Sequence, residues 1–229
     1  MTSPRTVAVV PLRDGVSGKS RLAAALDPGA RRRLVVALAR HVVEVLAPLV
    51  ADGRLAGVVV VTADVPFVKE VLAAVPGQVI AEPPGTPGLN GALDHARDHV
   101  RNLAADRVLV VHADLPRLTT ADVDALLATR ADVTIATDRH ATGTNLLMVP
   151  LTAPLAAKGY RFRFGAGSRA AHEAEAGTHG LTSAVVQRPG TAADLDTLDD
   201  WAELPAEIRA RVGAAVGHPL TERPARQAQ

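Results

Sequence analysis

The sequence predicts a three-layer α/β sandwich with a mostly parallel sheet. Its short aliphatic runs lack polar alternation, as in Val108-Leu109-Val110-Val111, and so suit strands buried on both faces. Segments of helical period separate those runs, which is the pattern of repeated βα units. The Val108–Pro116 stretch also ends on a carboxylate, Asp114, and is stopped by proline. An acid at the carboxyl end of a buried strand sits where open α/β sheets bind ligands.

In chain order, Thr6–Pro11 reads as the first strand. Asp27-Pro28 starts a helix, with Asp as N-cap and Pro at the first helical position. Leu34, Leu38, Val42, Val45 and Leu49 continue it toward Gly53 at helical spacing. Gly57–Thr62 and Gln78–Ala81 are strands around a helix over Pro66–Ala74, and Pro83–Gly88 is a loop of turn formers. Leu89–Leu103 is a helix, and Thr119–Thr129 is another with a capping-box-like start. Val133–Thr137 and Asn145–Val149 form a strand pair around the turn Thr142-Gly143-Thr144. A loop over Arg161–Gly167, a helix over Ser168–Ala176, a strand over Leu181–Gln187 and helices over Thr197–Leu204 and Ala206–Val212 complete the chain. Residues 1–220 are expected to form one domain, with a frayed polar tail over Thr221–Gln229.

Composition narrows the function. Five aromatic residues among 229 require an aliphatic core and offer little for base stacking, and a net charge of +1 gives no case for a nucleic-acid polymer. Without cysteine there are no disulfides or thiolate metal sites, as a reducing cytosol allows. With no leader-like segment and no long apolar run, a soluble cytoplasmic protein is expected, with no membrane partner.

Several segments carry chemistry. Gly15–Arg21 looks like a phosphate loop, but Arg13 stands where the P-loop pattern needs its first glycine. The loop still combines glycines, hydroxyls, Lys19 and Arg21 directly after the first strand, which suits a triphosphate. Asn90 is either a plain N-cap or an amide that reads a nucleotide. Thr142-Gly143-Thr144 and Arg161–Arg169 both offer small residues and free N–H groups, the second leading into a helix. Arg161, Arg163 and Arg169 would deepen an anion site there. Asp114 alone could be a turn-starting acid; the acidic Asp194-Leu195-Asp196 shifts the balance toward a Mg²⁺ site, since Mg²⁺ with phosphates matches hard oxygen ligands. His95 and His99 lack a third ligand at matching spacing, and Arg31–Arg33 reads as a solvated helix face.

Taken together, V-V-P-L, K-S-R-L-A, L-N-x-A-L, H-A-D-L-P-R-L, T-G-T-N-L-L, R-F-G-x-G-S-R-x-A-H and D-L-D-T-L-D-D resemble, in order, the 2-phospho-L-lactate/phosphoenolpyruvate guanylyltransferase family of coenzyme F-420 biosynthesis. The resemblance implies a nucleotide-diphospho-sugar-transferase-like (GT-A-like) fold. It further implies transfer of GMP from GTP to a small phosphorylated carboxylic acid with release of pyrophosphate. Carried over by position, Asp114 and Asp194 would hold Mg²⁺ with Asp196 in support. Thr144, Gly165 and Ser168 would form the acceptor site, Lys19 and Arg21 would neutralise pyrophosphate, and Asn90 would contact the nucleotide. The first loop departs from the family, with Arg-Asp-Gly-Val-Ser-Gly before the lysine in place of an Ala-Lys-rich stretch. Phosphoenolpyruvate is the expected acceptor and 2-phospho-L-lactate the alternative; a homodimer is allowed for. The competing readings are a cytidylyl- or sugar-nucleotidyltransferase and a non-catalytic nucleotide-binding module.

Overall fold

The structure, a computed structural model, describes residues 4–13, 19–72, 77–83, 85–86, 88–152 and 159–217. The expected Gly15–Gly18 loop and the Thr221–Gln229 tail lie outside the described residues. Seven strands form one sheet in the order β3-β2-β1-β4-β6-β5-β7. They are β1 (Thr6–Pro11), β2 (Gly57–Thr62), β3 (Gln78–Ala81), β4 (Arg107–Val111), β5 (Val133–Ala136), β6 (Leu146–Pro150) and β7 (Ser183–Val186). All neighbours pair in parallel except β6, which runs antiparallel to both β4 and β5. The expected β5–β6 pair is therefore an antiparallel one inside an otherwise parallel sheet.

Among the described residues the α-helices are α1 (Pro28–Ala51), α2 (Val65–Val71), α3 (Gly88–Asn102), α4 (Thr120–Leu127), α5 (Ser168–Thr178), α6 (Leu198–Glu203) and α7 (Ala206–Val216). Asp27 caps α1 by accepting from the Ala30 N–H at 2.9 Å, as the Asp-Pro start requires. Strand residues alternate between two cores. Ala8, Val10, Val58, Val60 and Leu109 pack under α1, α2 and α4, whereas Val7, Val9, Val59, Val108 and Val110 face α3 and α5. The period of two that was hidden by the all-apolar runs is thus spent on two faces.

Helix α1 is long and apolar enough to cross a membrane by length and composition. Its apolar residues are used elsewhere: Val35, Val42, Val43, Leu46 and Leu49 lie in the first core. Leu34 and Leu38 meet a third cluster with Leu22, Leu195, Trp201 and Val216. The Arg31–Arg33 face is not merely solvated. Arg32 sits 4.3 Å over the Phe67 ring, and Arg33 Nε donates to the Val216 carbonyl at 2.6 Å, tying α1 to the end of α7.

That third cluster is the part of the core closest to function, because Leu195 is fully buried between two aspartates and Leu22 lies three residues after Lys19. Truncating Leu195 should therefore be felt in stability and in the placement of both acids. Leu195→Ala is expected to cost about 2–5 kcal/mol, the range for a buried leucine that leaves a cavity, read as a lowered urea midpoint at unchanged slope.

Candidate active site at the carboxyl ends of the strands

Strand β4 ends at Val111, and the chain carries Asp114 just beyond the sheet edge. The Leu195 N–H donates to the Asp114 carbonyl at 3.1 Å, which brings the second acidic segment against the first. Lys19 closes the cluster, its Nζ lying 2.7 Å from Asp114 Oδ2 and 2.6 Å from Asp196 Oδ1. Arg21 stands at the rim, 4.0 Å from Asp196 Oδ2 and largely exposed. Lys19 holds a left-handed backbone, φ 57°, a conformation that non-glycine residues adopt at some cost. Two carboxylates on its ammonium offset that cost.

The electrostatics follow from this crowding. Burial opposes the Lys19 charge, but Asp114 and Asp196 hold its pKa above the usual lysine value. Burial also opposes the Asp114 charge, yet the Lys19 ammonium and the nearby His112 keep its carboxyl below the ordinary range. Asp194 is pushed the other way, by burial first and then by the negative charge of Asp114. Asp114 Oδ1 is buried with no hydrogen-bond partner among the described residues. Two acids meet one buried ammonium here with a third beside them, which leaves net negative charge and an unused, buried hard oxygen. Among the described residues no three acid or imidazole groups stand as a ready-made metal-ligand set. Of the expected clamp, Asp114 and Asp196 are bridged by Lys19, while Asp194 stands apart from the ammonium, toward Asn145.

The second half of the site lies where β6 begins. The His112 N–H donates to the Asn145 carbonyl at 3.1 Å, and Asn145 Nδ2 donates to the Thr191 carbonyl at 2.9 Å and toward Asp194 Oδ1 at 3.4 Å. Asn145 thus joins the Thr142–Thr144 turn to the acidic segment. The Arg169 N–H donates to the Thr142 carbonyl at 3.1 Å, and Thr144 Oγ1 lies 3.1 Å from His172 Nδ1 one turn further along α5. Gly165 (φ 139°) and Gly167 (φ 67°) shape the entry to α5, where Gly167 is the N-cap and Ser168 is buried at the first position. Thr144, Gly165 and Ser168 are accordingly gathered around one helix start.

Two expectations need correction. The Asn90 amide does not stand free to read a nucleotide: its Oδ1 accepts from the Phe164 N–H at 2.9 Å and its Nδ2 donates to the Phe164 carbonyl at 3.0 Å. Nor is it the N-cap, since α3 already begins at Gly88. Arg163 and Arg169 do not enrich an anion site, because Arg163 pairs with Glu175 at 2.9 Å and Arg169 approaches Glu173 at 3.6 Å. The expected loop over Arg161–Gly167 is indeed free of helix and strand, but it is anchored in the core. Tyr160, Phe162 and Phe164 are buried at alternate positions, and Arg161 and Arg163 are exposed between them. Sequence reasoning passed over His112, Asn145 and His172, although all three lie inside the quoted motifs.

A cleft of about 580 Å³ opens beside the acids, lined by Leu12, Lys19, Glu82, Leu89, His112 and Asp114 among others. Its walls come from the ends of β1 to β4, where strand order reverses on either side of β1, the place such sheets keep for ligands. Residues 6–207 match the family model described as guanylyl transferase CofC like. The chain belongs to this family. It is 40% identical to a phosphoenolpyruvate guanylyltransferase of Sphaerobacter thermophilus over 92% of this chain and 96% of that protein. It is 33% identical to a 2-phospho-L-lactate guanylyltransferase of Methanothermobacter thermautotrophicus, covering 87% and 84% of the two chains. A Desulfovibrio desulfuricans structure, assigned as a nucleotide-diphospho-sugar transferase, superposes with a TM-score of 0.71 at 16% identity and 95% coverage of each chain. That likeness bears on the fold, which is the one the resemblance implied.

The imidazole of His172 supplies a measurable consequence. It is fully buried, and burial, then the neighbouring His112, push its pKa down to about 4, against which Glu175 pulls weakly. A histidine neutral in the fold but protonated when unfolded contributes stability that is complete above about pH 6.5 and is lost as pH falls toward 4. His172→Asn removes this proton. The stability gap between wild type and variant should then shrink between pH 7 and pH 5 by at most ~1.4 kcal/mol per pH unit in urea titrations. A gap that stays constant over that range contradicts the buried neutral imidazole.

Proposed function

We propose that the protein transfers GMP from GTP to the phosphate of a small phosphorylated carboxylic acid, phosphoenolpyruvate first among them, with release of pyrophosphate, in coenzyme F-420 biosynthesis. One observation carries the reading: Lys19, Asp114 and Asp196 meet at one end of a nucleotide-sized cleft, and Asn145, next to Thr144, reaches His112 and Asp194 on the same edge. The names of the relatives supply the base and the acceptor class.

Such a transfer asks the protein to align an acceptor oxygen with the α-phosphorus and to neutralise the charge of the departing pyrophosphate. An acceptor phosphate is already anionic, so the site has no need of a general base. Lys19 and Arg21 stand ready to neutralise the leaving group, and the Thr144–Ser168 corner faces the acceptor. The donor set also fits a divalent ion, because Asp114 keeps an unpartnered buried oxygen and Asp194 carries an acid made costly by its neighbours. Mg²⁺ held by Asp114 and Asp194, with Asp196 in support, would add charge neutralisation at the phosphates. Glu82, at the end of β3, is a carboxylate lining the same cleft, and guanine is the common base that offers two adjacent N–H donors to such a group. Phosphoenolpyruvate and 2-phospho-L-lactate differ by one C=C bond, a difference worth roughly 1–3 kcal/mol in a pocket. The acceptor is thus decided by assay.

Pyrophosphate release with GTP and Mg²⁺ is expected with phosphoenolpyruvate, set beside 2-phospho-L-lactate and 3-phosphoglycerate. CTP or UTP replacing GTP would favour another nucleotidyltransferase, and GTP binding without turnover on any acceptor would favour a binding module. Asp114→Asn should retain the fold by circular dichroism while turnover falls about 10²-fold or more; near-normal turnover removes the metal assignment. Glu82→Gln should raise the KM for GTP about tenfold, the loss of a charge-assisted hydrogen bond, and leave the KM for the acceptor unchanged.

A further inference from the structure

The hydrogen bonds of His172 leave it one protonation form. Its Nε2 lies 2.9 Å from the backbone nitrogen of Arg163, which can only donate, so Nε2 carries no proton. The single proton of a neutral imidazole is then on Nδ1, 3.1 Å from Thr144 Oγ1. The ring donates and the hydroxyl accepts. Thr144 therefore keeps its own hydroxyl proton, and among the described residues no acceptor takes it. A buried donor left without a partner is costly, and such a group beside the proposed acceptor corner is explained when a ligand oxygen completes it.

We infer that His172 is a positioning residue that holds the Thr144 hydroxyl as a dedicated hydrogen-bond donor to an anionic oxygen of the acceptor. The inference rests on the proposed acceptor site and deepens it. The donor on Nε2 is itself held in place. Phe164, next to Arg163, is clamped on both sides of its peptide by the Asn90 amide, and the Arg163 guanidinium is anchored on Glu175. The Phe164 ring packs against His172, with centroids 4.8 Å apart, and keeps water from the imidazole. Asn90 thus acts at a distance, through the backbone that fixes the ring. The relay runs Asn90, Phe164–Arg163 backbone, His172, Thr144, and ends on a proton that points to ligand.

Four single variants, one double variant and one spectrum test it. Thr144→Val removes the donor and His172→Gln, whose amide reaches the Nε2 position only, removes what orients it. Each should raise the KM for phosphoenolpyruvate about tenfold or more, the loss expected for a hydrogen bond to a charged oxygen, with the KM for GTP within about twofold of wild type. Thr144→Ser keeps the hydroxyl and His172→Asn keeps a donor at the Nδ1 position, so both should recover most of the acceptor affinity. The double variant Thr144→Val with His172→Gln should be no worse than either alone. Nitrogen NMR of the wild-type protein should show His172 protonated on Nδ1 and bare on Nε2. Thr144→Val with an unchanged acceptor KM, or the two His172 variants raising both KM values equally, overturns the positioning role. A wild-type protein that releases no pyrophosphate with any acceptor sinks the guanylyltransferase reading instead. In that case the spectrum still decides the relay, since a proton found on Nε2 overturns it.

Discussion

A single backbone hydrogen bond, from Leu195 N–H to the Asp114 carbonyl, makes the rest of this site possible. Carboxylates repel, and acids from two distant stretches do not gather on a sheet edge by themselves. The apolar residue between two of them does the gathering. Leu195 is buried in the cluster that α1, α6 and α7 build with Leu22, so Asp194 and Asp196 project from a segment fixed at its centre. Asp200 completes the frame by accepting from the Asp196 and Thr197 N–H groups at 2.9 and 2.7 Å while it starts α6. Lys19 is fixed from the other flank, since the Leu22 N–H donates to its carbonyl and Leu22 lies in the same cluster. The apolar interior thereby sets the spacing of the charges.

The one antiparallel strand has a positional reason. In a parallel sheet every strand offers its carboxyl end to the ligand edge, and its amino end lies on the far side. Reversing β6 brings its amino end to the ligand edge, beside the end of β4. The Thr142–Asn145 turn therefore lies next to His112 and Asp114 rather than a strand length away, and the acceptor corner shares a wall with the acids. Loops after β1 to β4 shape the nucleotide side, and the start of β6 with α5 shapes the acceptor side.

The aliphatic runs and the Asp-Pro, Thr-x-x-Asp and Gly signals made the order of elements legible, because strands and caps are written in short local patterns. Asp114, Asp194, Asp196 and Lys19 were legible as chemistry for the same reason: charged groups that end buried runs stand out. The antiparallel pairing of β5 with β6 was legible too, since a short turn can join only antiparallel strands; the insertion of β6 beside β4 was not. Asn90 misled because an amide at a helix start fits capping and ligand reading equally well; only the placement of Phe164 shows that both its ends are in use. Nor was the pairing of Arg163 and Arg169 visible, since Glu173 and Glu175 reach them only once α5 has formed. His172 looked like one more polar helix residue, and its role depends on a contact 28 positions away.

That pairing of arginines bears on the chemistry itself. An acceptor phosphate must stay nucleophilic toward the α-phosphorus, and a guanidinium locked onto its oxygens would withdraw the electrons the reaction needs. With Arg163 held by Glu175 and Arg169 near Glu173, the corner offers a neutral donor instead, the Thr144 hydroxyl. Neutral donors orient an anion with less loss of basicity than a full charge, because a hydrogen bond to a dipole is weaker than one assisted by a cation. On the proposed reading, Lys19 and Arg21 are the cations that meet the departing pyrophosphate, drawn from their pairing with Asp114 and Asp196. Charge is placed where it helps the transition state and kept from where it would stabilise the ground state.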